Sequence, residues 1–161
     1  MRVLPLRAAK PGRRAARGHI AGEIPVRIVA LVESAGHDHR VAVTTAGNVQ
    51  HLAIAAKASG SGSAVNGGEF LMLALATCFC NDIYREAARS NIPIDSVEVE
   101  AAADFEGVGL AATNITYRAL VASSASEAEI DALVHRTDAV AEVHNTVRAG
   151  ASVLLLPWNG G

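Results

Sequence analysis

NGGEFLMLALATCFCNDIYRE, residues 66 to 86, opens with a turn, runs into an almost unbroken apolar segment and carries Cys78 and Cys80 inside it. Between Phe70 and Cys80 the one polar side chain is Thr77. A helix that is apolar on every face has to be covered on every face. The run is eleven residues long, short of the roughly 18 needed to cross a bilayer. It therefore reads as the buried central helix of a water-soluble fold. Helical neighbours lie three, four and seven positions apart. Cys78 shares its stripe with Leu71, Ala74 and Leu75 on one side and with Asn81, Asp82 and Arg85 on the other. Cys80 falls in line with Thr77, Ile83, Tyr84 and Ala87. Residues two apart point roughly 200° apart around the axis, so the pair is badly placed for a disulfide or a shared metal. Cys78 is the candidate reactive thiol. Cys80 reads as a small core hydrophobe.

The 161 residues, half of them hydrophobic, suit one domain with a sizeable core. Two cysteines this close make no disulfide framework, so a reducing, cytoplasmic setting is expected. Net charge is −2, but it is unevenly spread. Residues 1–22 carry Arg2, Arg7, Lys10, Arg13, Arg14 and Arg17 and no acid, while the remainder holds 8 basic and 16 acidic residues. The arm could tether nucleic acid or an anionic surface or serve as an organelle transit peptide. Pro5, Pro11, Gly12 and the lack of any aromatic or apolar face favour a disordered extension ahead of a single domain over 23–161. The acidic remainder speaks against nucleic acid as a partner, and no stretch is long enough for a membrane.

Along the chain, Val26–Val32, Arg40–Thr45 and Val49–Ile54 read as strands, the last two joined by a hairpin at Ala46-Gly47-Asn48. A Gly- and Ser-rich loop, residues 58–68, precedes the helix, which Asn66 can cap and Asn91-Ile92-Pro93 ends. Ser96–Phe105 alternates Val97 and Val99 with Glu98 and Glu100, and Thr113–Ala122 follows after a turn at Gly107–Gly109. Ser126 with Glu129 forms a capping box for a helix to about His135. Thr137 or Asp138 can cap a further helix to about Arg148, and Ser152–Leu156 reads as a closing strand. The order β-β-β-α-β-β-α-α-β, with strands in groups, predicts an α+β fold. One small chain has trouble covering the central helix, so a homodimer burying two such helices is expected.

A polar loop, a Glu, the helix EFLMLALATC (69–78), paired strands and the later segment VAEVHNTV (140–147) together resemble the OsmC and organic hydroperoxide resistance superfamily over roughly residues 25–157. The resemblance implies an intertwined α+β homodimer with sites at the subunit interface. It also implies reduction of organic hydroperoxides by two cysteines, helped by an Arg and a Glu beside the first. Cys78 matches the peroxide-attacking cysteine. The second cysteine falls at Ala141, so a one-thiol cycle completed by an external thiol reductant is what remains of that chemistry. The family's Glu falls at Gly68, with Glu69 one step later and about 100° further around a helix. Arg27 and Arg40, both in the N-terminal strands, are the candidates for the Arg.

His144, three residues after Ala141, is a candidate base that would approach Cys78 across the interface. Asp82 and Arg85 read as a structural ion pair. His37-Asp38-His39 reads as a solvated turn rather than a metal site, and the Gly-rich loop as a flap over the pocket. No metal or cofactor is expected. The function these residues support is hydroperoxide reduction or oxidative-stress defence through Cys78, with Glu69, Arg27, Arg40 and His144 as helpers. The alternative is a non-enzymatic protein of this fold that holds a small apolar ligand between subunits.

Overall fold

The computed structural model describes residues 25–35 and 38–158. The expectations for the basic arm, residues 1–22, lie outside that range. The element order is β1 (Ile28–Ala35), β2 (Asp38–Thr45), β3 (Asn48–Leu52), α1 (Gly67–Arg89), β4 (Ser96–Asp104), β5 (Thr113–Ala122), α2 (Glu127–Val140) and α3 (Glu142–Ala149). This is the α+β arrangement expected: two antiparallel sheets, of order β1-β2-β3 and β4-β5, with three helices. The chain divides into two compact units, the first built mainly from the β1–β3 sheet and the second mainly from Ile54 onward. Each is described by itself.

In the first unit, β2 and β3 pair from Val41↔Leu52 to Thr45↔Asn48. Ala46 and Gly47 make the two-residue turn, both at positive φ, 48° and 83°. That is the twist that suits a tight hairpin, and glycine adopts it freely while alanine does not. Ile28, Val32 and Val49 are exposed on this small sheet.

In the second unit, α1 is fixed at both ends by local chemistry. Asn66 accepts from the Glu69 backbone N–H at 3.0 Å while Glu69 accepts from the Asn66 N–H at 2.6 Å, a reciprocal capping box. At the other end Asn91 takes φ 53°. Its N–H donates to the Ala88 carbonyl and that of Ile92 to the Ala87 carbonyl, closing a Schellman motif. The alternation in β4 and β5 sends Val97, Val99, Tyr117, Ala119 and Val121 inward, against α1 and α2. Phe79, Ile83, Ala87, Leu133 and Ala141 form the fully covered centre. Burial of each large apolar side chain there contributes about 1.5–3 kcal/mol.

The chain covers α1 along one stripe, Leu75, Phe79, Asp82, Ile83 and Ala87, while Leu73 on another face is 57 % exposed, the shortfall expected of one small chain. Two local expectations are corrected. Thr137 lies inside α2 instead of capping a new helix, because its hydroxyl donates to the Leu133 carbonyl one turn back. The next helix, α3, starts from Ala141, which breaks the run with ψ 103°. Residues 152–156 form no strand: Val153 is 95 % and Leu155 99 % exposed, with no neighbouring strand to pair with among the described residues. No helix of the described residues is long and apolar enough to cross a membrane.

Candidate functional site

Cys78 sits about three turns into α1, partly buried, where α3 approaches the helix. Its Sγ donates to Asp82 Oδ2 at 3.4 Å, the geometry that an i, i+4 spacing dictates. Asp82 is only 4 % exposed. Its other oxygen, Oδ1, takes an ion pair from Arg85 Nη1 at 2.7 Å. The same Nη1 lies 3.6 Å from Glu142 Oε1 at the start of α3, and Arg85 Nε donates to Glu86 at 3.0 Å. The expected Asp82–Arg85 pair is thus present, and it is wired to the thiol.

The surroundings push the Cys78 thiol up. Burial is the largest cause, the Val143 backbone amide opposes it, and the hydrogen bond and charge of Asp82 with the charge of Glu142 add to it. Cys78, Asp82 and Glu142 bring a sulfur and two carboxylate oxygens within 4.8 Å of one another, a set that could hold a metal ion. Arg85 already sits on both carboxylates. A cation would have to displace the guanidinium.

His144 follows Val143 on α3 and is 3 % exposed. It packs within its own chain, its ring 4.3 Å from that of Tyr117 and 5.4 Å from that of Phe79. Both ring nitrogens are buried without a hydrogen-bond partner, so no bond joins them to Cys78. Burial, then the Arg148 charge, hold its pKa below the ordinary histidine value, against the opposing pull of Asp138 and Asp82. Beyond it lies a second polar cluster: Tyr117 donates its hydroxyl to Asp138, and Arg148 Nη2 donates to Asp138 at 2.5 Å and to the Tyr117 oxygen at 3.0 Å.

The other expected helpers are placed as follows. Glu69 is spent on the α1 cap, about 13 Å along the axis from Cys78 at roughly 1.5 Å per residue. Gly68 cannot take a side chain as it stands, since a Cβ there would meet Phe105 Cζ at 2.9 Å. Arg27 precedes β1, and Arg40 on β2 makes an exposed contact with Glu33 at 3.8 Å. Both belong to the other unit. Ala141 is fully buried against Phe79 and Leu133. Cys80 is partly buried and makes no hydrogen bond among those described. Of the histidine pair before β2, His37 lies outside the described residues, while Asp38 and His39 begin the strand instead of a turn. The Gly-rich loop closes on itself, with Lys57 N–H to Gly62 O at 3.0 Å and Ala64 N–H to Ala55 O at 2.9 Å.

Sequence reasoning did not place Glu142 beside Cys78, nor Tyr117, Asp138 and Arg148 together. A clue to the second group was available: Asp138 and Arg148 lie on successive short helices, where a fold-back could pair them.

Residues 60–155 match the OsmC-like protein family. No curated protein sequence matches the chain. Among solved structures, an OsmC-like protein from Mycoplasma pneumoniae has a TM-score of 0.56 at 16 % identity, covering 79 % of this chain and 89 % of that one. An organic hydroperoxide resistance protein OsmC from Legionella pneumophila gives 0.53 at 19 %, covering 76 % and 89 %. An organic hydroperoxide resistance protein from Elizabethkingia anophelis gives 0.52 at 14 %, covering 80 % and 91 %. Identities this low carry the fold and nothing finer. The family match spans more than half of the sequence and includes Cys78, the β4–β5 pair and both later helices, and the chain belongs to the OsmC-like protein family.

Proposed function

We propose that this protein reduces organic hydroperoxides with a single thiol, Cys78, in a reducing cytoplasmic setting. The observation that carries the reading is the partly accessible thiol hydrogen-bonded to a buried carboxylate that is itself ion-paired. The fold supports it, being that of proteins called organic hydroperoxide resistance proteins. In the reaction, sulfur attacks the terminal oxygen of the hydroperoxide, the O–O bond breaks, and the thiol proton goes to the departing alkoxide. Cys78 becomes a sulfenic acid and an alcohol leaves. With Ala141 in place of a second cysteine, an external thiol condenses with the sulfenic acid, releasing water, and a second external thiol reopens the mixed disulfide. Asp82, not Glu69, is the acid group in contact with the thiol, and Arg85 is ion-paired to Asp82. Arg27, Arg40 and a His144 base remain proposals for the assembled dimer.

The dimer is part of the proposal. Leu73 and Tyr84 on α1 and the run Val153–Leu156 are apolar and exposed in one chain, and a second copy packed there would cover them. The test is consumption of cumene hydroperoxide with a monothiol reductant. Turnover is expected in the full chain and in Cys80→Ser, and loss of turnover in Cys78→Ser. Equal turnover in Cys78→Ser would overturn the reading.

A second reading is favoured by the upward push on the thiol, which opposes thiolate chemistry. On this reading the protein binds a small apolar ligand, for which a groove of about 550 Å³ is available, lined by Gly68, Met72, Ala103 and Phe105 with Asn66 and Glu69 at the helix start. Saturable binding of an apolar fluorophore, unaffected by Cys78→Ser and without peroxide turnover, would select it.

A further inference from the structure

We propose that Asp82 keeps Cys78 protonated at rest, and that Arg85, shared between Asp82 and Glu142, sets how firmly it does so. The inference rests on reading Cys78 as the reacting thiol and assigns positioning roles to Asp82 and Arg85, which act on substrate through it.

Geometry carries the argument. The two oxygens of Asp82 are divided: Oδ2 accepts from Cys78 Sγ at 3.4 Å and Oδ1 faces Arg85 Nη1 at 2.7 Å. A carboxylate can accept from S–H, but beside a thiolate it loses that bond and meets a like charge. The burial of Asp82 makes both penalties larger than they would be in water. The charged groups facing the thiol are Asp82 and Arg85 from its own helix and Glu142 from α3, with the Val143 amide the one backbone group that favours the ionised form. Two acids and one guanidinium leave a net negative surrounding. The guanidinium is the adjustable element, since its Nη1 is 2.7 Å from one acid and 3.6 Å from the other. Drawn towards Asp82 it weakens that group's hold on the proton, and drawn towards Glu142 it strengthens it. A thiol kept protonated in this way resists stray oxidants and alkylating agents until a substrate is in place.

The test is the pH profile of iodoacetamide alkylation at Cys78, read by intact mass in the full chain carrying Cys80→Ser. Asp82→Asn removes the charge with little change in size. Its profile is expected to move about one pH unit lower. Alkylation near neutral pH should then rise about threefold rather than tenfold, because a more acidic thiolate is a weaker nucleophile. Arg85→Gln should move the profile the other way. Unchanged profiles in both variants, or an upward move in Asp82→Asn, would overturn the proposal. Should Asp82→Asn fail to fold by circular dichroism, the Arg85→Gln arm decides alone: an upward move supports the proposal and no move overturns it. Iodoacetamide reads ionisation of the thiol whether or not hydroperoxides are substrates. Loss of peroxide chemistry with shifted profiles would therefore sink the functional reading and leave this one standing.

Discussion

Replacing His144 with phenylalanine asks whether the imidazole is kept for packing or for its nitrogens. The ring rests on Tyr117 and Phe79 at 4.3 Å and 5.4 Å between centroids, and both nitrogens are buried without partners. A buried polar atom left unsatisfied costs about 1–3 kcal/mol, and an apolar group of the same shape removes that cost. Phenylalanine preserves both aromatic contacts, so His144→Phe should raise the unfolding free energy by about 1–2 kcal/mol near neutral pH. The pH dependence sharpens the test. Burial and Arg148 hold the folded-state pKa below the ordinary value, so below about pH 6.5 the unfolded chain binds more protons than the folded one. Stability must then fall as pH drops from there towards the folded-state value, by at most about 1.4 kcal/mol per pH unit from this one group. The phenylalanine variant lacks that limb. Urea unfolding followed by circular dichroism, from neutral pH down to about pH 5, measures both effects. A variant less stable than the parent by more than about 1 kcal/mol, with its acid limb unchanged, would refute the reasoning. It would show that the nitrogens are bonded in solution.

Phe79→Ala, at the centre of the core and 1 % exposed, should cost about 3–5 kcal/mol in the same assay; a loss under 1 kcal/mol would mean that the α1–β5 packing is misjudged. Ala46→Asn should raise stability by up to about 1 kcal/mol, since Ala46 is held at φ 48° and asparagine tolerates the left-handed region better. An unchanged or lower thermal midpoint would contradict the turn assignment. Asp138→Asn should destabilise by about 1 kcal/mol near neutral pH by weakening the bonds from Tyr117 and Arg148. Those two hydrogen bonds, the Tyr117 one foremost, hold the Asp138 pKa below its ordinary value. Its contribution is therefore present above the unfolded carboxyl value and lost as pH falls through the folded one. A gap between variant and parent that persists in strong acid would count against this.

The α+β order and the ends of α1 were legible because each rests on local chemistry. Asn66 with Glu69 and Ser126 with Glu129 are capping boxes, and the β4–β5 alternation follows the two-residue strand period. Cys78 was separable from Cys80 by helical spacing, and its contact with Asp82 follows from the same arithmetic. What escaped depends on tertiary placement. The position of Glu142 beside the thiol needs α3 to fold back on α1, and no local pattern encodes that crossing. Glu69 is committed to the α1 cap, a tertiary-independent role that competes with any role at the thiol. The strand expected at 152–156 had the right composition, but a strand exists only where an edge receives it.

The central claim is that Cys78 is a reacting thiol, and mass spectrometry reads it most directly. Equimolar cumene hydroperoxide and a sulfenic-acid trap are added to the full chain, to Cys78→Ser and to Cys80→Ser, and intact mass is followed in time. The account predicts rapid trapping in the full chain and in Cys80→Ser, and none in Cys78→Ser. Labelling no faster than that of a free thiol in solution would contradict it and leave the protein a ligand-binding member of its family.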